Sequence, residues 1–153
     1  MNYLFETLGW GFPNRRLKIR DFEVVKPIGT NFLNAAIDFF CEQAGTEARI
    51  LNEDSGVVSF TDNPKLEFSE GDTLFIFNED KEWIFTADAD LDLGLLFLNC
   101  PIPIEFSNRI DFDLAEQDFI IICKHRITKG ERYYNQNVMR EWIEAARIPN
   151  EKV

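Results

Sequence analysis

Apolar residues recur at Leu33, Ala36, Ile37, Phe40, Cys41 and Ala44, the three-and-four spacing of one broad helical stripe. With Thr30 or Asn31 as N-terminal cap and Gly45 as the stop, this spacing predicts a helix over about 31–44. Upstream, Arg16-Leu17-Lys18-Ile19-Arg20 alternates strictly and predicts a strand with a basic outer face. The alternation slips at Asp21, where Phe22 and Val24 take the other parity, so a bulge or turn is expected there. Pro27-Ile28-Gly29 is expected to break the segment.

From about residue 47 the period changes to two. Short strands are predicted near 47–52, 57–61, 65–69, 73–77, 82–87 and 93–99, with turn residues between them. Leu74-Phe75-Ile76-Phe77 is apolar on both faces and predicts a central strand covered on both sides. Ile102, Ile104 and Phe106 alternate with Pro101, Pro103 and Glu105, which predicts an edge strand. The run Phe119 to Cys123 predicts a second central strand. Val138, Met139, Trp142, Ile143 and Ala146 form another helical stripe, ended by Pro149. That helix is expected over about 131–147, opened by a capping box of Thr128 and Glu131 or by Asn135. The sum is a single α+β domain over 1–153: an antiparallel β-meander sheet packed against an N-terminal-half helix (about 31–44) and a C-terminal helix (about 131–147).

Composition adds a charge pattern that the periodicity does not reveal. The chain is 45% hydrophobic and carries a net charge of −11, with 27 acids against 16 bases. Residues 51–100 hold twelve acids against Lys65 and Lys81, so nearly all the excess lies in one third of the chain. Such a balance argues against binding nucleic acid, which needs Lys and Arg to neutralise phosphates. No apolar run approaches the roughly 20 residues of a membrane span, and the N-terminus lacks the basic and apolar regions of a signal peptide. A cytoplasmic protein without membrane contact is expected. Cys41, Cys100 and Cys123 are odd in number and far apart, which fits buried thiols better than a disulfide framework.

In an up-and-down meander, alternate turns share one end of the sheet. The turns at 53–56, 70–72 and 88–90 would gather Glu53, Asp54, Glu70, Asp72, Asp88 and Asp90 at one end, with Asp92 just beyond. Glu70, Asp72, Asp88 and Asp90 are expected at exposed turn positions, and no Lys or Arg lies in those three turns. These seven acids are the candidate partner-binding residues.

Chemistry is harder to place. Asp88-Ala89-Asp90-Leu91-Asp92-Leu93-Gly94 resembles a calcium loop, but Leu93 holds the glycine position of an EF-hand and Asn99 that of its final Glu. Asp111-Phe112-Asp113 is an Asp-x-Asp pair without supporting context. Cys123 and His125 would point to opposite faces of a strand. Gly9-Trp10-Gly11-Phe12-Pro13 reads as a structured turn anchoring the N-terminus. The basic groups Arg15–Arg20 and Lys124–Arg132 are expected to pair with neighbouring acids. No catalytic residue, metal site or cofactor is expected. A small acidic chain without a catalytic motif resembles bacterial immunity proteins in profile, although no motif carries the likeness. The expected partner is a basic protein, a toxin or nuclease domain, whose active site the acidic end would cover. Alone, a monomer or weak dimer is expected. Three alternatives remain: a generic interaction or chaperone module, a phage-type nucleic-acid mimic, and a small carboxylate- or metal-dependent enzyme.

Overall fold

The computed structural model describes residues 24–43, 46–52, 58–67, 69, 72–78, 83–89, 92–98, 100–130 and 140. In chain order the elements are β1 (Val24–Ile28), α1 (Thr30–Glu42), β2 (Thr46–Asn52), β3 (Val58–Phe60), α2 (Pro64–Glu67), β4 (Asp72–Asn78), β5 (Trp83–Asp88), β6 (Leu93–Leu98), α3 (Ile104–Arg109) and α4 (Phe112–Thr128). The strands form one antiparallel six-stranded sheet in the order β1-β6-β5-β4-β2-β3. With its packed helices this is an α+β fold. Among the described residues, no helix is long and apolar enough to cross a membrane.

The expected stripe of α1 packs on the sheet. Leu33, Ala36, Ile37 and Phe40 meet Ala48 and Ile50 of β2, Leu74 and Ile76 of β4, Phe85 and Ala87 of β5, and Leu96 and Leu98 of β6. The alternate positions Phe75, Phe77, Ile84, Leu95 and Phe97 are buried as well. A sheet buried on both faces explains why 74–77 and 93–98 read as continuous apolar runs. The prediction of a central, covered strand at 73–77 is met by β4, which lies between β5 and β2. Pro27 does not break the first segment. It sits inside β1, which among the described residues pairs with β6 alone, and a strand at the edge of a sheet tolerates a residue without an N–H.

Three predicted strands are absent, each for a local reason. The strand expected at 65–69 gives way to the helical turn α2. Pro64 suits a first helical position, and the Glu67 N–H donates to the Asn63 carbonyl at 3.1 Å. The edge strand expected from Ile102 to Phe106 is replaced by α3. Phe106 and Ile110 are buried at helical spacing, whereas Ile104 is 72% exposed. The second central strand, Phe119 to Cys123, lies inside α4. Its buried residues Phe112, Ala115, Phe119 and Cys123 keep a helical period that three successive isoleucines mask. Asp111 begins this helix, its Oδ1 accepting from the Leu114 N–H at 3.1 Å. Thr128 is therefore the last residue of a helix, not the cap of the next one. The strand at 16–20, the slip at 21–22, the Gly9–Pro13 segment, Gly45 and the helix at 131–147 lie outside the described residues, except for Arg140, which is helical.

The start of α1 is held from a distance. Neither Thr30 nor Asn31 caps it; Gly29 holds the cap position without a side-chain bond, and the first turn carries no acid of its own. Asp118 of α4 supplies both functions. Its Oδ2 accepts from the Asn31 N–H at 3.0 Å and its Oδ1 from Asn31 Nδ2 at 2.8 Å. A carboxylate there also meets the positive end of the helix dipole. Replacing Asp118 with Ala should cost about 1–2 kcal/mol in urea unfolding, and Asn should recover part of it.

Gly29 permits this approach. Its N–H donates to the Ala115 carbonyl at 3.0 Å. A Cβ on Gly29 would collide with the Asp118 carboxylate and lie 2.6 Å from the Phe119 backbone nitrogen. Because one of those atoms is backbone, the clash is not relieved by a rotamer change. Gly29→Ala is expected to destabilise by about 3 kcal/mol, read as a lowered urea midpoint.

Candidate functional site

Strand register decides which strand ends meet. Asn52 pairs with Asp72, and Thr73 pairs with Asp88. The end of β2, the start of β4 and the end of β5 therefore lie side by side. Two backbone bonds close the group: Ala89 N–H donates to the Asp72 carbonyl at 3.1 Å, and Asp92 N–H to the Asp88 carbonyl at 2.8 Å. Thr30 Oγ1 donates to the Asp92 carbonyl at 2.8 Å, which ties the start of α1 to the same end. The structure thus brings Asp72, Asp88 and Asp92 together. Glu53, Asp54, Glu70 and Asp90 lie outside the described residues, but each adjoins this region in sequence: Glu53 and Asp54 follow Asn52, Glu70 precedes Asp72 by two, and Asp90 follows Ala89.

The three described acids are not equivalent. Asp72 and Asp88 were expected in exposed turns; both are strand residues, only 8% exposed. Strand ends that pair with neighbours on the sheet lose water, and a buried carboxylate must then find hydrogen bonds. Asp72 finds them at Ser69, whose N–H donates to its Oδ2 at 3.1 Å and whose hydroxyl donates at 3.3 Å. This carboxylate organises the entry to β4. Asp92 is exposed and adopts φ of 58°, a left-handed conformation that Asp tolerates better than most residues. Of the three, Asp92 is the one that presents its charge to solvent.

Catalytic arrangements can be tested on the same geometry. Cys123 and His125 stand two positions apart on α4, a spacing that does not face side chains toward each other. Cys123 is fully buried and His125 is exposed. Asp111, half of the Asp-x-Asp pair, is occupied as the cap of α4. Among the described residues, no group of three His, Cys, Asp or Glu side chains is placed to hold a metal ion. Comparison with protein-family models, curated proteins and solved structures finds no match to this chain.

The Cys123 thiol carries a pH consequence. Burial pushes its pKa up from 9.0 to about 12, and Arg126 offsets part of that rise. Below pH 9 folded and unfolded chains both keep the proton, so the contribution to stability is complete. Between 9 and 12 the unfolded chain releases it while the folded chain does not, and stability falls. The urea midpoint should therefore drop as pH rises above 9, and Cys123→Ala should make that drop shallower. A thiol reagent should reach Cys123 only on unfolding.

Proposed function

We propose that the chain is a small inhibitory binding protein whose acidic end covers the basic active site of a partner, in the manner of a bacterial immunity protein against a nuclease-type toxin. One observation supports this most: the register sets Asn52 beside Asp72 and Thr73 beside Asp88, and the stretches of sequence that adjoin these strand ends, 53–57, 69–71 and 89–92, contain acids and no Lys or Arg. Like charges crowded at one end repel one another, and that repulsion is relieved when a cationic surface covers them. An active site built to hold phosphates offers such a surface. The buried Asp72 and Asp88 frame the patch, and the contact falls to Asp92 and the turn acids Glu53, Asp54, Glu70 and Asp90.

The test is protection. The protein domain encoded immediately upstream of this chain is expressed in bacterial cells with and without it. Survival only when the chain is co-produced, together with a stable complex of the two proteins, supports the reading. Equal killing in both cultures, or no effect of the upstream domain on growth, overturns it.

A further inference from the structure

We infer that the outer face of α4 joins two copies of this chain in an antiparallel helix contact. The inner face of α4 is filled by Phe112, Ala115, Phe119 and Cys123. On the opposite side Asp113, Leu114, Gln117, Ile121, Lys124 and His125 are all exposed. Their spacings of three, four and seven make one stripe along the helix. Two of them are large and apolar, with Leu114 49% and Ile121 65% exposed. A single exposed isoleucine needs no explanation, but two apolar residues two turns apart, between an acid and a base, form a patterned surface.

The pattern is complementary to itself in one orientation. Asp113 and Lys124 are eleven positions apart, about three turns plus 20° of an ideal helix, so they lie on the same side of the stripe. Leu114 and His125 have the same separation. In an antiparallel pair with the two-fold axis between Gln117 and Ile121, Asp113 meets Lys124 of the second copy, and Lys124 meets Asp113. Leu114 lies opposite His125, and Ile121 opposite Gln117. Every contact then occurs twice, as an isologous interface requires. A parallel two-fold pairing would set each edge of the stripe against the opposite edge at the same height, so that Asp113 would face Leu114, Lys124 would face His125, and no acid would meet a base. The antiparallel arrangement also places opposite ends of the two helix dipoles together. Net charge of −11 on each chain opposes association, which makes the dimer weak, with a dissociation constant of roughly tens of micromolar.

Sedimentation equilibrium of the full chain, from micromolar to millimolar concentration, tests this contact. The parent should pass reversibly from monomer to dimer. Ile121→Asp should remain monomeric while keeping the parent's urea midpoint, because the residue is exposed. Asp113→Lys and Lys124→Asp should each weaken the dimer by roughly tenfold, since each sets like charges together twice. The double variant should restore the parent affinity, and an equimolar mixture of the two single variants should form a heterodimer. A change in helix stability alone would produce neither recovery. A parent that stays monomeric throughout, as it would if this face served a different protein, overturns the inference. So does a dimer that survives Ile121→Asp, or a double variant no tighter than the singles.

Discussion

Replacing Phe40 with Ala should cost about 4 kcal/mol of folding stability, the largest loss expected from any single truncation in this core. Phe40 is fully buried on α1 at the centre of an aromatic group. Its ring stacks on Phe85 with centroids 4.9 Å apart and packs against Trp83 at 5.0 Å. Edge contacts join it to Phe39 and Phe106, both at 5.2 Å. Removing the ring strips a contact from α1, α3 and β5 at once and leaves a cavity that four surrounding rings cannot readily fill. A domain stable by about 5–15 kcal/mol loses a large share of its margin in this way. Phe40→Leu should cost under about 2 kcal/mol, and Ile104→Ala, at an exposed position of α3, less than about 0.5 kcal/mol. Urea unfolding of the three variants checks the order.

The packing of α1 and β4 into one core was legible in outline because periodicity reports burial. Leu33, Ile37 and Phe40 recur as a helix does, and Leu74 to Phe77 can be apolar throughout only if covered on both faces. Where periodicity misled, local backbone chemistry or neighbouring residues decided the outcome. Pro64 and Pro103 each stand at the start of a helical turn, and short alternations beside them look like strands. Ile120, Ile121 and Ile122 hid the helical stripe of α4 by filling its other faces. Asp118 offered no sequence signal at all, because its partner Asn31 is 87 positions away. For the acidic end, the meeting of the strand ends at Asn52, Asp72 and Asp88 could be read from strand count even though one predicted strand is a helix. The chain from Phe60 to Asp72 returns to the end where β2 finishes, so the parity is kept. Burial of Asp72 and Asp88 was not legible, since it depends on which strands flank them.

This distinction changes which acids can be neutralised without harm. Asp72→Asn would weaken the bonds from Ser69 and disturb the fold, and would not test binding cleanly. The informative variant combines Glu53→Gln, Asp54→Asn, Glu70→Gln, Asp90→Asn and Asp92→Asn. Asn suits the left-handed backbone at position 92, so that site should keep its conformation. The five changes remove most of the field that would steer a basic partner inward. Association should slow by about a hundredfold at low salt, while dissociation changes much less.

The most direct measurement is stopped-flow association of the chain with the upstream-encoded domain over a range of salt concentrations. For the parent, the rate constant should fall steeply as salt screens the acidic end. For the five-site variant it should be slow already at low salt and nearly flat. Parent and variant associating at the same rate, with the same salt dependence, would contradict the account and leave the acids as a solvated surface.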